Sequence, residues 1–247
     1  MNVRYYKEYS NILGRDMEYK VYGDGGRVCF AMASQDGHFN QFADFGMIDV
    51  IADYIEQGRL QVVCPDSMDE ISWSNNAGHG REAIENQERW FHYITDELYP
   101  TIYSRNPYSD RAIITGASMG AVHAANFFFR RPDLFGAVIS LSGTYNANDF
   151  FVGYMDDLVY ANSPYHFLRN MPADHPWMEK YRNSDIIICV GQGAWEDQLL
   201  AGTRALEGVL KEKGIPAWVD YWGYDVNHDW PWWRIQLPYF MDKVMNK

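Results

Sequence analysis

Near-continuous apolar runs alternate with amphipathic segments along most of the chain. Short runs rich in β-branched and aliphatic residues predict buried strands at residues 27–33, 60–64, 111–115, 136–142, 186–190 and 217–222. The segments between them predict helices at residues 47–56, 82–103 with an interruption near Pro100, 120–131, 199–213 and 232–245. This alternation is typical of βαβ units. It predicts a three-layer α/β fold with a mostly parallel central sheet and helices on both faces.

The pattern runs from end to end without an internal repeat, a low-complexity stretch or a Pro/Gly/Ser-rich linker. We therefore expect residues 1–247 to form a single domain. The alternation weakens only between residues 148 and 183, where Pro164, Pro172 and Pro176 interrupt it. Long irregular connections inside a domain are commonly functional, so this segment is predicted to be an irregular excursion or a small lid.

Charge narrows the range of partners. The chain has 21 basic and 33 acidic residues, a formal net charge of −12. A negative surface repels phosphate backbones and anionic lipids, so we expect neither a nucleic-acid nor a membrane partner. The three cysteines lie in apolar strand-like runs and are expected to be buried, reduced thiols. Together with an N-terminus that lacks an apolar signal region, they predict a cytoplasmic location.

The sharpest local signal is a G-x-S-x-G motif, Gly116-Ala117-Ser118-Met119-Gly120. It directly follows one predicted strand and opens a predicted helix, which is the context that a nucleophile elbow requires. A serine on such a tight turn exposes its hydroxyl above the sheet, and glycines two residues before and after avoid collisions with the strand and the helix. Ser118 is therefore the candidate nucleophile.

A serine hydroxyl needs a base, and the base needs an orienting carboxylate. Of the seven histidines, His228 follows the last predicted strand and precedes the last helix, where an α/β-hydrolase places its base. His123, on the helix after Ser118, is expected to face packing or solvent. The loop after residues 186–190 offers two adjacent carboxylates, Glu196 and Asp197, one for the triad and one for the helix start. Asp197 is favoured because its shorter side chain has less freedom to lose, while Glu196 is one residue nearer the strand end.

Two loops could stabilise an oxyanion. The amide of Met119 points to the place where the oxyanion would form. The second donor is expected from the loop after the first central strand, at the amide of Gln35 or of Asp36. Motifs for metal, dinucleotide or nucleotide binding are missing from the sequence, so no cofactor and no metal are expected.

Aromatic residues make up 16% of the chain, and five of the nine tryptophans lie between positions 218 and 233. Such a cluster packs a core or forms a stacking wall for a planar or sugar-like ligand. Trp195 and Trp230, close to the candidate acid and base, are the predicted substrate-binding residues.

Taken together, these segments resemble the putative-esterase family of α/β-hydrolases, which includes esterase D/S-formylglutathione hydrolase and feruloyl esterases. The resemblance covers roughly residues 26–240 and depends on the Ser118 motif, on Arg131-Pro132-Asp133-Leu134-Phe135 with the following Ile139–Gly143 stretch, and on Asn227-His228-Asp229-Trp230. It implies a Ser–acid–His triad that hydrolyses carboxylic or thiol esters. The spacing after Asp197 is similar to that after the family's catalytic aspartate. Two departures from the family are Ser34-Gln35 in place of a His-Gly pair and the longer Gly193-Ala194-Trp195-Glu196-Asp197 stretch.

The sequence thus predicts a serine carboxylic ester hydrolase that forms an acyl-enzyme on Ser118 and acts on a small-molecule ester. An acyltransferase of the same fold is the alternative, since it would share the acyl-enzyme. A non-catalytic binding protein on this fold is disfavoured by the presence of serine, acid and histidine in the expected order.

Overall fold

An eight-stranded sheet organises the chain. The computed structural model describes residues 1–74, 78, 80–106, 108 and 110–246. The strands are β1 (Val3–Ser10), β2 (Arg15–Tyr22), β3 (Arg27–Met32), β4 (Leu60–Pro65), β5 (Ala112–Ala117), β6 (Phe135–Leu141), β7 (Asp185–Val190) and β8 (Trp218–Tyr221). Their order across the sheet is β1-β2-β4-β3-β5-β6-β7-β8, with β1 and β2 antiparallel to their neighbours and the other strand pairs parallel.

Ten α-helices are assigned in the described residues: α1 (Gln41–Asp44), α2 (Ala52–Glu56), α3 (Arg81–His92), α4 (Tyr99–Arg105), α5 (Met119–Arg130), α6 (Asp157–Ala161), α7 (Pro164–Asn170), α8 (Trp177–Arg182), α9 (Asp197–Glu212) and α10 (Trp230–Met245). One apolar cluster, on the side of α3, α5 and α9, contains Phe30, Phe127 and Leu206. A second cluster, on the side of α10, contains Ile51, Trp233 and Phe240. The three-layer α/β fold with a mostly parallel sheet is confirmed.

The predicted strands are all present, but β1 and β2 were missed. β2 carries a period-two pattern in which Met17, Tyr19 and Val21 are buried. The charged residues Glu18 and Lys20 fall on the alternate positions, as they do in a strand with one covered face. A search for continuous apolar runs passes over such a strand, whereas a search for alternation would find it.

The long helix predicted at 82–103 is broken differently from the prediction. α3 passes into a π-helical turn, Tyr93–Leu98, which passes directly into α4. Pro100, the expected site of interruption, lies in the first turn of α4. Proline has no N–H and its ring clashes with the carbonyl four residues earlier, so the wider turn before it relieves both effects.

The segment 148–183 contains α6, α7 and α8 in place of a wholly irregular excursion, and its role as a lid stays a prediction. Cys29, Cys64 and Cys189 are buried and free, which confirms the expectation from their sequence context. Burial raises the pKa of the Cys29 thiol to about 12. Within the described residues, no helix is both long and apolar enough to span a bilayer.

The parallel strands end in register. Met32 pairs with Gly116, Ala117 with Leu141, and Leu141 with Cys189. Because parallel strands present their carboxyl ends at one edge of the sheet, the loops that follow them meet there. The predicted nucleophile, acid and base all lie on these loops.

Candidate active site

Ser118 occupies a sharp turn between β5 and α5. Its backbone has φ +57° and ψ −122°, a conformation that a non-glycine residue rarely adopts. A Cβ atom on Gly116 would lie 2.3 Å from the backbone of Gly120, and one on Gly120 would lie 2.2 Å from the carbonyl oxygen of Met32. The turn can therefore form only with glycine at both positions, as the motif predicted.

His228 reaches Ser118 from the loop after β8. Its Nε2 lies 2.9 Å from the Ser118 hydroxyl oxygen. The His228 amide donates to the carbonyl of Ala194 at 3.0 Å, and the Ala194 amide donates to the Asn227 side chain at 2.8 Å. These two bonds join the base loop to the acid loop, so the imidazole and the candidate carboxylates are held together.

The carboxylate beside His228 belongs to Glu196, the alternative acid, and not to Asp197. Glu196 is fully buried, and its Oε2 lies 3.5 Å from His228 Nδ1. Asp197 is exposed and begins α9, where a negative charge interacts favourably with the helix dipole. The placement of Asp197 at the base is therefore corrected. Trp195, at φ +68°, bends the loop before Glu196, and Asp197 is the residue at the helix start.

Two further residues support Glu196. The Ser142 hydroxyl, at the end of β6, donates to Glu196 Oε1 at 2.6 Å, and the indole N–H of Trp233 donates to Ser142 Oγ at 3.2 Å. The Trp233 ring also packs edge-on against the His228 imidazole, with 4.9 Å between ring centroids. Sequence reasoning gave no role to Ser142. Its position at the carboxyl end of β6, next to β5, was the available signal.

The three amides predicted as oxyanion donors differ in whether they already have a hydrogen-bond acceptor. The amide of Met119 is the first of α5, where N–H groups have no intrahelical acceptor. Gln35 lies on a turn closed by a Gly37 N–H to Ser34 carbonyl bond of 2.8 Å, and no bond between described residues uses its amide. The Asp36 amide, by contrast, donates to Asp69 Oδ2 at 3.3 Å. Asp36 is thus corrected as a free donor, and Gln35 remains a candidate.

Backbone strain is concentrated at this edge of the sheet. Four non-glycine residues in the described part of the chain have positive φ: Asp36, Ser118, Ser142 and Trp195. Each follows the carboxyl end of a parallel strand, respectively β3, β5, β6 and β7. Such conformations cost on the order of 1–3 kcal/mol each and persist where the surroundings enforce them, typically at functional sites.

A cavity of about 200 Å³ opens beside the nucleophile. Its lining residues are Gln35, Ser118, Met119, Val122, Thr144, Asp149, Phe150, Gln198 and Leu199. Asp149 and Phe150 come from the segment that the sequence predicted to be an irregular excursion or a small lid. Trp195 and Trp230 lie outside this lining. Trp195 is 85% exposed, and Trp230 stacks on Phe45 at 4.3 Å.

Within the described residues, no group of three or more His, Cys, Asp and Glu side chains is placed to hold a metal ion. The site therefore brings together the Ser118 hydroxyl, the His228 imidazole and the buried Glu196 carboxylate, in that order.

An elbow serine and a histidine at the carboxyl ends of a mostly parallel sheet define the class of α/β-fold serine hydrolases. The chain belongs to the family described as "Putative esterase", whose model matches residues 10–241. Family membership makes the protein a carboxylic ester hydrolase, as the sequence resemblance implied. No curated protein matches the chain.

Solved structures share the fold at low sequence identity. A ferulic acid esterase is 19% identical with a TM-score of 0.78, covering 99% of this chain and 98% of its own. An S-formylglutathione hydrolase from Staphylococcus aureus is 15% identical with a TM-score of 0.73 over 100% of both chains. An S-formylglutathione hydrolase from Agrobacterium tumefaciens is 16% identical with a TM-score of 0.76, covering 99% of this chain and 94% of its own.

Proposed function

We propose that the protein hydrolyses esters through an acyl-enzyme on Ser118, with His228 as general base and Glu196 as the triad acid. The observation that carries the proposal is the 2.9 Å contact between His228 Nε2 and the Ser118 hydroxyl on a strained elbow. The buried carboxylate of Glu196 faces the other ring nitrogen. A separation of 3.5 Å there fits a free enzyme, in which catalytic hydrogen bonds are often long and shorten with substrate bound.

In this mechanism His228 takes the proton of Ser118 as the hydroxyl oxygen attacks the ester carbonyl. The negative oxygen of the tetrahedral intermediate accepts hydrogen bonds from the amides of Met119 and Gln35. The imidazolium then protonates the leaving alcohol or thiol. Water enters, His228 removes its proton as the water oxygen attacks the acyl-enzyme carbonyl, and the imidazolium returns a proton to the Ser118 oxygen as the bond to the acyl group breaks and the acid is released. Glu196 stabilises the imidazolium in both halves of the reaction.

The direct test is Ser118→Ala, measured with p-nitrophenyl acetate and with a fluorophosphonate probe. We expect hydrolysis to fall by at least about 10³-fold and labelling to disappear, because no nucleophile remains. Ser104→Ala, an exposed hydroxyl on α4, is the matched control and should keep both. Near-wild-type turnover by folded Ser118→Ala would overturn the proposal.

The substrate we favour is an uncharged ester rather than an anionic thioester. Asp149 is the one ionisable side chain among the described cavity residues, and its carboxylate accepts a hydrogen bond from Thr144. The sequence segments after β3, β4, β6, β7 and β8 (residues 33–40, 66–80, 142–156, 191–196 and 222–229) contain Asp and Glu but no Lys or Arg. A glutathione thioester carries carboxylates, which the Asp149 carboxylate in the cavity would repel.

A pair of thioesters with the same acyl group tests this preference. We expect kcat/KM for an uncharged S-acetyl-N-acetylcysteamine to exceed that for S-acetylglutathione by about tenfold or more at low salt, since salt screens such repulsion. Asp149→Asn should narrow the ratio by raising the glutathione value. A higher kcat/KM for the glutathione thioester in the wild-type protein would refute the assignment of substrate charge while leaving the triad untouched.

A further inference from the structure

A second histidine–carboxylate pair lies beneath the site. His123 on α5 and Asp69, after β4, are both fully buried at their side chains, and His123 Nε2 lies 2.7 Å from Asp69 Oδ1. The imidazole is enclosed by two indoles, Trp73 and Trp90, with ring centroids at 6.2 and 4.8 Å. The sequence predicted that His123 would face packing or solvent, and this pairing was missed.

The pair is connected to the loop that carries the oxyanion donor. Asp69 Oδ2 accepts the amide hydrogen of Asp36, while Oδ1 faces His123. One residue before Gln35, the Ser34 hydroxyl donates to the carbonyl oxygen of Ala117 at 2.9 Å, next to the nucleophile. Gln35 is therefore fixed on both sides, by Ser34 towards β5 and by Asp36 towards Asp69.

The hydrogen bond from the Asp36 amide to Asp69 is important because of the backbone conformation of Asp36. Asp36 has φ +54°, which an L-residue adopts only when its surroundings hold it. The peptide between Gln35 and Asp36 therefore directs its N–H to the Asp69 carboxylate. The amide of Gln35 is then the one left available at the cavity.

We propose that Asp69, held in place by His123, is a positioning residue for the oxyanion loop. The inference rests on the proposed function and deepens it: the pair touches no substrate but sets the direction of the Gln35 amide. Burying a carboxylate is expensive unless it is fully hydrogen-bonded. Here both carboxylate oxygens have a partner, and those partners join α5 to the loop. Because Nδ1 of His123 has no partner among the described residues, its polar contribution passes through Asp69.

The test is the division of the kinetic effect between kcat and KM. Asp69→Ala removes both bonds and Asp69→Asn keeps the shape but cannot accept at both positions. We expect kcat to fall by about 10- to 100-fold in Asp69→Ala and by less in Asp69→Asn, the range for a lost hydrogen bond to a charged group. KM should change by less than about threefold. The inhibition constant of a boronic acid, whose tetrahedral adduct needs the oxyanion donors, should rise by the same factor as kcat falls.

Two further variants separate an effect on positioning from an effect on the stability of the fold. In the double variant His123→Ala/Asp69→Ala, kcat should equal that of Asp69→Ala alone, because His123 acts through Asp69. Glu88→Gln, which removes a partly buried carboxylate bonded to the other end of α5, should lower the melting temperature without changing kcat.

Failure of the positioning role and failure of the proposed function give different results. If Ser118→Ala is inactive but folded Asp69→Asn and Asp69→Ala keep wild-type kcat and boronate affinity, the positioning role is overturned and the proposed function stands. Should Asp69→Ala not fold, unchanged kcat and boronate affinity in Asp69→Asn are sufficient to overturn it. Retained hydrolysis by Ser118→Ala overturns the proposed function itself.

Discussion

α5 contacts a carboxylate near each end: Asp69 through His123 near the amino end, and Glu88 through Arg130 at the carboxyl end. The two contacts differ in their hydrogen bonding and surroundings. At the carboxyl end, Arg130 forks onto Glu88, with nitrogen–oxygen distances of 2.6 and 3.0 Å. Asn162 also donates to Glu88 at 2.9 Å, and the guanidinium of Arg130 lies 3.6 Å from the centre of the Phe91 ring. Both oxygens of Glu88 are bonded.

At the amino end, buried polar atoms remain unsatisfied within the described structure. They are Glu196 Oε2, His228 Nδ1 and His123 Nδ1. Strained backbone also lies at this end, where Ser118 and Asp36 both have positive φ. Glu88, with both oxygens bonded to a guanidinium and an amide, stabilises the fold, whereas Glu196 has one oxygen without a hydrogen bond beside a titratable ring and can take part in chemistry. The comparison predicts large kinetic effects at one end of α5 and stability effects at the other.

The largest effect is expected from Glu196→Gln. This change keeps the shape of the side chain but removes the charge that favours the imidazolium and fixes its tautomer. We expect kcat for p-nitrophenyl acetate to fall by about 10³–10⁴-fold. Steady-state kinetics on the folded variant measures it.

Asp197→Asn is the matched control for that change. Asp197 is the neighbouring residue, exposed at the first position of α9, so its substitution should lower kcat by less than about tenfold. A reversal of the two magnitudes would identify Asp197 as the triad acid and contradict the geometry of this loop.

Ser142→Ala should have an intermediate effect. Its hydroxyl gives Glu196 the 2.6 Å bond that holds the carboxylate in line with His228. Loss of a hydrogen bond to a charged group corresponds to about 1.5–3 kcal/mol. We expect roughly 10- to 100-fold lower kcat with little change in KM. An unchanged kcat in the purified variant would show that Glu196 is held by other contacts.

Glu88→Gln should affect stability alone. Burial by itself would raise the pKa of Glu88, but its hydrogen bonds and the charge of Arg130 hold it below the usual range. A lowered folded-state pKa means that the carboxylate stabilises the fold above its unfolded pKa and loses this contribution as pH falls through the folded value. The variant should therefore lose about 1–3 kcal/mol at pH 7 and converge with the wild type in strong acid. Urea unfolding at several pH values measures this. A lower kcat, or a loss of unfolding free energy that is the same at every pH, would contradict the purely stabilising role of Glu88.

More of the sheet than of the candidate site could be predicted from the sequence. The parallel strands and the elbow were predictable because each depends on local pattern: apolar runs, and glycines where a Cβ would collide. β1 and β2 contain no continuous apolar run and therefore escaped a search for such runs. The order of strands across the sheet depends on long-range pairing that local pattern does not encode.

In the site, the contact between Ser118 and His228 was predictable because the chain order of elements places both residues at one edge of the sheet. The choice between Glu196 and Asp197 depends on the direction of two adjacent side chains, which is set by the positive φ of Trp195 and by Ser142 on another strand. The pairing of Asp69 with His123 joins positions 54 residues apart. Neither arrangement has a local signature, so tertiary structure was needed for both.

In the proposed mechanism, Ser118 carries the acyl group during turnover. An acid quench during steady-state hydrolysis of a p-nitrophenyl ester, followed by proteolysis and mass spectrometry, tests this most directly. Glu196→Gln gives a parallel sample in which turnover is slowed. We predict a mass increase of one acyl group on the peptide that contains Ser118, and no such increase in Ser118→Ala. Turnover without an adduct on that peptide, or an adduct on another residue that survives Ser118→Ala along with activity, would contradict the account.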